Sequence, residues 1–445
     1  MLTLLGFSMI ACFMYLIMSK RLSALMALVL VPIAFAAIVE WTLGAPGLTL
    51  AGHVAAIGKM STDGIKTLAP TGVMLVFAIL YFSLMNDAGL FEPLIRFILR
   101  TVGGDPLKIV MGTTLLGVCL SLDGDGAPVY LILVPALLPL YQRLGMRLQV
   151  MATMLLLSVG IMHLVPWGGP TARAAAAMQV SVSDVFVPMI PVMAVGVVWL
   201  LGLAWFLGRG ERRRVGIITL EEDFHQALGG DDAHLRRPNL VVFNTVLTLA
   251  LITGLTFHVL PLPLLFMAAF ALAMVVNYPD LGEQRKRVAA HAHSVLAVVA
   301  VVFAASVFTG VLSGSGMVDA MAKATLQLVP QSLGPYMGSL ISLIAIPGTY
   351  LVSNDAFYFG VLPTLAHTAQ AYGINPIEVA RAAIISQPTH MLSPLTPSTY
   401  LLVGLLSIDY SDNQRATLGW AIVTSLVLML AGIALGAIPL WGRGL

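Results

Sequence analysis

The stretch "SLDGDGAPVYLILVP", Ser121–Pro135, sets two carboxylates, Asp123 and Asp125, among glycines and between apolar runs. A charged side chain at the centre of a bilayer costs roughly 3 kcal/mol on insertion scales, so such residues mark ion or substrate paths. The flanking runs, about 107–122 and 127–142, each fall short of the ~20 residues a spanning helix needs. Together they read as one re-entrant hairpin, with the Asp-Gly-Asp-Gly stretch as its tip. Non-helical backbone at that depth is tolerated only where protein or a cavity covers it.

The rest of the chain fits a membrane setting. Of 445 residues 58% are hydrophobic and 10% charged, against roughly 45–50% and about 25% in a soluble domain. The composition predicts an all-α polytopic membrane protein. A formal net charge of +2 argues against a nucleic-acid partner. Cys12 and Cys119 lie in separate apolar segments, which reads as packing instead of a disulfide or a CxxC metal site. No G-x-x-x-x-G-K-[ST] phosphate loop is present, so ATP hydrolysis is not expected. The first apolar segment precedes its basic pair, Lys20-Arg21, and reads as a retained span.

Hydropathy places full-length spans near 2–19, 22–41, 68–88, 148–165, 184–208, 239–258, 261–277, 295–313, 376–391 and 416–441. A second hairpin, about 334–371, has Ser353-Asn354-Asp355 at its tip. With the loop at 20–21 in the cytoplasm, most of the chain's lysines and arginines fall on that side, and Lys59, Lys66, Lys323 and Arg443 on the other. That asymmetry is the positive-inside pattern.

One constant offset matches Pro135 to Pro363, Gly145 to Gly373, Ser158 to Ser386, Pro166 to Pro394 and Thr171 to Thr399. Each half holds five spans and one hairpin, an odd number of crossings, so the second copy is expected to be inverted. The expected domains are a first repeat over 1–208 (hairpin 107–142, broken helix 148–177), a cytoplasmic linker over 209–238, and a second repeat over 239–445 (hairpin 334–371, broken helix 376–405). Inverted repeats with interrupted helices are a secondary-transporter architecture.

Two further interruptions follow the repeat: "HLVPWGGPTARAAAA", His163–Ala177, and "HMLSPLTPSTYLLVG", His390–Gly404. Pro166, Gly168, Gly169 and Pro170 in one, and Pro394 and Pro397 in the other, stop a continuous helix. The restarting N-termini carry partial positive charge and suit a carboxylate. Gly168, Gly169, Thr171, Ser393, Thr396, Ser398 and Thr399 are the candidate polar lining of such a cradle. Arg173, whose repeat partner is Leu401, breaks the symmetry; a guanidinium grips a carboxylate well, and neutralising Asp123 or Asp125 is its alternative role. Protein carboxylates beside an anion site make sense when a cation accompanies the anion or when they carry protons. Asp123, Asp125 and Asp355 are therefore candidates for both, and His163 and His390 for proton coupling. Arg381 is expected to partner Glu378.

"SLDGDGAPVY", "PWGGPTARAA" and "SQPTHMLSPLTPSTYLLVG", with "FMYLIMSKRLSALMALVLVPIAFA", closely resemble the citrate–divalent-metal:proton symporters of the CitMHS family. That resemblance covers nearly the whole chain. It implies the ion transporter superfamily fold, with a scaffold and an elevator-like transport domain. It further implies a bacterial inner-membrane symporter that imports citrate complexed with Mg²⁺ or Ca²⁺, coupled to protons, with no permanently bound cofactor. Superfamily relatives for dicarboxylates are homodimers whose Ser-Asn-Thr hairpin tips hold sodium and carboxylate. Carried over here, those tips are Ser121-Leu122-Asp123 and Ser353-Asn354-Asp355, with Asp in place of each Thr and Leu122 in place of the first Asn; the constant offset instead pairs Asp125-Gly126-Ala127 with Ser353-Asn354-Asp355, so either Asp123 or Asp125 is the counterpart of Asp355. A carboxylate there fits proton or metal coupling better than sodium. Alternatives are a dicarboxylate or other organic-anion or oxyanion carrier of the same fold, and more distantly an intramembrane aspartyl protease. The latter lacks support, because the Gly-x-Gly-Asp signature is missing its first Gly before Asp125.

Overall fold

Backbone N–H and C=O groups in an apolar setting must bond to each other, and a chain rich in Leu, Ala, Val and Met does so as helix. The computed structural model describes residues 1–19, 21–43, 49–124, 126–217, 234–256, 259–328 and 332–442, and no strand occurs among them. The first half runs α1 (Leu2–Met18), α2 (Ala24–Leu43), α3 (Leu50–Asp87), α4 (Glu92–Val102), α5 (Pro106–Leu120), α6 (Gly126–Arg143), α7 (Leu148–Met162), α8 (Gly169–Met178), α9 (Val182–Phe186) and α10 (Ile190–Val215). The second runs α11 (Val241–Thr256), α12 (Leu262–Asn277), α13 (Leu281–Gly314), α14 (Met317–Leu328), α15 (Met337–Leu351), α16 (Leu362–Gln370), α17 (Pro376–Ile384), α18 (Gln387–His390), α19 (Pro397–Leu406) and α20 (Tyr410–Ala434). Among the described residues six helical stretches are long and apolar enough to cross a bilayer.

The order of elements recurs, including its irregular residues. Gln179 ends α8 and Ser407 ends α19, each with φ near +53°, and they are the non-glycine residues with positive φ among those described. Left-handed backbone is unfavourable for a residue with a Cβ. It recurs at the offset read from the sequence, as does the positive φ of Gly145 (63°) and Gly373 (76°).

Two helices are longer than hydropathy predicts. The spans expected at 68–88 and 295–313 are the C-terminal parts of α3 and α13, of 38 and 34 residues. Lys59, Asp63 and Lys66 lie exposed on the early part of α3, which lowers local hydropathy without interrupting any backbone hydrogen bond. At 1.5 Å per residue α3 is about 57 Å long, well beyond the ~30 Å hydrocarbon layer. The pair crosses at glycine: a Cβ on Gly64 would lie 2.9 Å from Cα of Gly310. Small residues at a crossing let helices touch backbone to backbone.

The expected 376–391 span is also interrupted. Pro388 lies at the start of α18 and separates it from α17, because its ring displaces the carbonyl four residues earlier. Arg381 feels the charge of Glu378, but no hydrogen bond or close ion pair joins the two. It donates to backbone carbonyls, from Nη2 to Asp184 O at 2.5 Å and from Nη1 to Ala437 O at 3.4 Å. Glu378 instead closes the capping box of α17, accepting from Asn375 N at 2.9 Å.

Helix α10 runs on to Val215, into the segment expected as linker. Its buried Glu211 accepts from Arg147 N at 3.0 Å and Arg214 Nη2 at 2.5 Å, fastening the helix end to the turn after α6. The middle of the linker lies outside the described residues. The core centres on α7, every residue of which from Met151 to Met162 is buried. A helix apolar all round belongs inside.

Candidate functional site

The first hairpin tip closes α5 with a short 3₁₀ turn, Ser121–Asp123, and Gly124 at φ +79°. Ser121 donates to Gly117 O at 2.5 Å. Gly124 needs its missing side chain twice over: for the left-handed backbone, and because a Cβ there would lie 3.1 Å from Trp167 Cδ1 and 3.2 Å from Gly168 Cα. Trp167 Nε1 donates to Leu122 O at 2.6 Å, and its ring stacks on Phe82 at 4.6 Å. The first tip is thereby pinned to the first helix break. The side chain of Asp123 and all of Asp125 lie outside the described residues.

The second tip leaves α15 in an extended residue, Val352, and enters a π-helical turn, Ala356–Val361. Such turns recur at functional positions. Ser353 Oγ accepts from Ala356 N at 3.2 Å. The amides of Asn354 and Gln387 exchange two 3.4 Å contacts, and Gln387 Nε2 also donates to Tyr358 OH at 2.9 Å. Buried Gln387 thus ties the second tip to the second break.

At each break a threonine satisfies carbonyls that the interrupted helix frees. Thr171 Oγ1 donates to Leu164 O at 3.0 Å and His163 O at 3.3 Å. Thr399 Oγ1 donates in the same way to Met391 O. Ser393 Oγ donates to Tyr350 O at 2.7 Å, and Thr396, the N-cap residue of α19, donates to His390 O at 3.0 Å. Thr171 and Thr399 are fully buried, and as placed they build the breaks instead of lining open space. Gly168 is the N-cap position of α8, where a Cβ would collide with His163 O.

All four interruptions meet on one cavity of about 210 Å³. Gly124 from the first tip, Asn354 from the second, Gly169 and Arg173 from the first break, and His390 and Thr396 from the second line it. Ser83 of α3 and Ser294 of α13 complete the wall. Of the other candidates His163 also lines it, whereas Ser121, Gly168, Thr171, Ser353, Asp355, Ser393, Ser398 and Thr399 are not part of that wall; Asp355 stands behind it, reached through Arg173. The volume is below the ~300 Å³ at which drug-sized pockets begin, so it suits a small ligand.

Arg173 is the single cation among the described lining residues, and its Nε lies 2.5 Å from Asp355 Oδ1. The pair joins α8 of the first half to the hairpin tip of the second. Gly169 makes room for it, because a Cβ there would collide with Nη1 of Arg173. Among the described residues no three His, Cys, Asp or Glu side chains gather as a metal-ligating group; of the expected acidic set, Asp355 is the one whose side chain is described.

The two histidines, one residue off the repeat offset from each other, differ in their surroundings. His390 Nδ1 donates to Thr349 O at 2.6 Å, which fixes its tautomer, and Nε2 lies 3.4 Å from Thr396 Oγ1. Neither ring nitrogen of His163 has a hydrogen-bond partner among the described residues, although both are buried. A buried polar atom without a partner calls for an occupant or water.

Sequence reading missed Trp167, Gln387, Ser83 and Ser294. Trp167 and Gln387 stand inside the quoted motifs, and a buried-capable polar side chain beside a helix break was the available signal. Trp167→Phe keeps the stacking and removes the donor to Leu122. A neutral hydrogen bond contributes about 1 kcal/mol, so a ligand of the cavity should bind about fivefold more weakly at unchanged protein yield. Unchanged binding would mean that the bond does not hold the tip.

The sequence profile described as "Citrate transporter" (CitMHS) matches residues 6–386. A Bacillus subtilis (strain 168) protein named "Citrate transporter" is 49% identical over 438 residues, covering 98% of this chain and all of that one. Another from the same organism, named "Mg(2+)/citrate complex secondary transporter", is 45% identical over 442 residues, covering 99% and 100%. Among solved structures, the YdaH transporter of Alcanivorax borkumensis superposes with a TM-score of 0.64 at 16% identity over 94% of this chain and 98% of that one. The MtrF efflux pump of Neisseria gonorrhoeae gives 0.61 at 14% identity, over 94% and 96%. These structural likenesses show a shared transporter fold. With its apolar helices and these relatives, the protein is a multi-pass membrane protein and a transporter, not an enzyme. The profile match and the near full-length relatives place the chain in the CitMHS citrate transporter family.

Proposed function

We propose that this chain is a secondary active transporter that imports citrate complexed with a divalent metal ion of the Mg²⁺ or Ca²⁺ class, coupled to protons. The observation that carries the proposal is the cavity where two hairpin tips and two helix breaks converge on one arginine. Citrate is a trianion near neutral pH, and its complex with a divalent ion keeps a single net negative charge. One guanidinium and the N-termini of α8 and α19 match that charge, as partial positive helix ends do. The relative named for a Mg²⁺–citrate complex supports the metal as part of the cargo.

In this reading Arg173 grips one carboxylate. Gly168, Gly169 and Thr396 shape the anion side, and Asn354 orients the second tip. Ser121, Ser353, Ser393, Ser398, Thr171 and Thr399 hold the tips and breaks in shape. The carboxylates of Asp123, Asp125 and Asp355 serve the cation or the coupled protons. His163, whose ring nitrogens have no partner among the described residues, is the better placed of the two histidines to take part. The halves 1–208 and 239–445 act as inverted repeats about the 209–238 linker, and the hairpins and broken helices move as an elevator within a homodimer.

Radiolabelled citrate uptake into proteoliposomes tests this, with Mg²⁺, Ca²⁺ or Zn²⁺, then with chelator, with and without an imposed pH gradient. Coupling between two co-bound ions is typically worth about tenfold or more. Uptake should therefore fall by about that factor in chelator and rise when the lumen is alkaline. Equal uptake with and without metal, or indifference to the gradient, would remove the corresponding coupling.

A further inference from the structure

We propose that Asp355 is an internal stand-in for the substrate's carboxylate: the incoming anion displaces it from Arg173, and the freed Asp355 carboxylate meets the cation that the anion carries. The inference deepens the metal–citrate reading and rests on it. It makes one ion pair the element that distinguishes the complex from either ion alone.

With the pair closed at 2.5 Å, the charge of Arg173 is already cancelled. A free anion then finds no available cation in the described wall of the cavity. To bind, it must break the pair and strand Asp355, whose side chain is 19% exposed. A free cation must likewise strand Arg173, 17% exposed. An unpaired charge removed from water is strongly unfavourable, so each single ion is rejected for the same reason. A complex that brings both charges breaks one pair and forms two: its carboxylate on Arg173, and Asp355 on its metal ion. The closed pair is neutral, and the bound complex adds only its own single negative charge, which the N-termini of α8 and α19 face.

The geometry allows the exchange. Arg173 meets Asp355 through Nε, while Nη1 lies against Gly169, which itself lines the cavity. The guanidinium therefore reaches the cavity wall with a second donor edge while still holding Asp355, and five donors in a planar fork permit a stepwise hand-over. Because Asp355 belongs to the second hairpin tip and Arg173 to the first-half break, the exchange also exchanges what holds that tip. The imidazole of His163 on the same wall, without a partner among the described residues, marks a place for a polar occupant.

The test is calorimetric binding to the purified full-length protein in detergent, with citrate in EDTA, citrate with Mg²⁺, and Mg²⁺ alone, each affinity referred to the species in solution. The wild-type protein should bind the complex at least about tenfold more tightly than either ion alone. In Asp355→Asn, Arg173 is free from the start, so metal-free citrate should bind about tenfold more tightly than to the wild type, and the advantage of Mg²⁺ should shrink below about twofold. Arg173→Gln is the independent, reciprocal arm: Asp355 is freed, and Mg²⁺ alone should bind about tenfold more tightly. Asp355→Glu should keep the preference for the complex. If Asp355→Asn retains the wild-type Mg²⁺ preference, or if neither neutral variant gains affinity for its own freed ion, the exchange is overturned. A wild-type protein that binds citrate under none of these conditions would overturn the transport reading itself, a result separable from the variant comparison.

Discussion

Arg173→Ala should lower citrate uptake by about 100-fold while leaving the protein in the membrane. A hydrogen bond to a charged group contributes about 1.5–3 kcal/mol, and about 1.4 kcal/mol is a factor of ten in affinity. The substitution removes the single cation described in the cavity wall and, with it, the grip on the carboxylate. It also strands Asp355, which adds to the loss. The helix itself should survive, because α8 runs on through four alanines, Ala174–Ala177, good helix formers. Uptake per membrane-inserted molecule is the quantity to measure; uptake at the wild-type level would remove the anion-gripping role.

Gly160→Leu should be nearly as damaging for a steric reason. Gly160 lies in α7 where it crosses α18, and a Cβ there would stand 2.6 Å from Pro388 Cα, 3.0 Å from Pro388 N and 3.3 Å from Gln387 O. These are backbone atoms, which no rotamer change can move aside. Overfilling a close-packed site costs about 1–3 kcal/mol, sometimes more. The helices that must separate carry the two breaks, so His390 and Thr396 would shift relative to His163 and Arg173. A lower melting temperature in detergent together with uptake below about a tenth of wild type is expected. Gly160→Ala should fall between the two. Wild-type melting and uptake in Gly160→Leu would mean that the breaks tolerate being pushed apart.

The interruptions were legible because proline and glycine act locally. Pro170 and Pro397 stand at helix starts as expected, and the tips at 121–124 and 353–355 follow from apolar runs too short to cross. Local rules failed where a partner from afar sets the outcome. Hydropathy truncated α3 and α13, since a helix needs continuous hydrogen bonds and not continuous apolarity. The hydroxyls of Thr171 and Thr399 read as ligand donors but are bonded to carbonyls freed by the very breaks that drew attention to them. Arg381 was assigned to a carboxylate one turn away, while its donors reach Asp184 O and Ala437 O.

The sequence by itself determined the class of protein, the four interrupted places and the residue types gathered there. These depend on composition, on residues that stop a helix, and on a constant spacing, all of which are properties of the chain read in order. Only the tertiary structure decided which charges meet. Arg173 finds Asp355 of the other half, whereas its neighbours in sequence reading were Asp123 and Asp125; His163 and His390, nearly equivalent by position, end in unequal surroundings. Pairing across the two halves depends on how they pack, and a pairwise contact energy falls off over a few ångströms. Its outcome is therefore fixed by the final approach of side chains from distant segments, a distance that the order of residues does not contain.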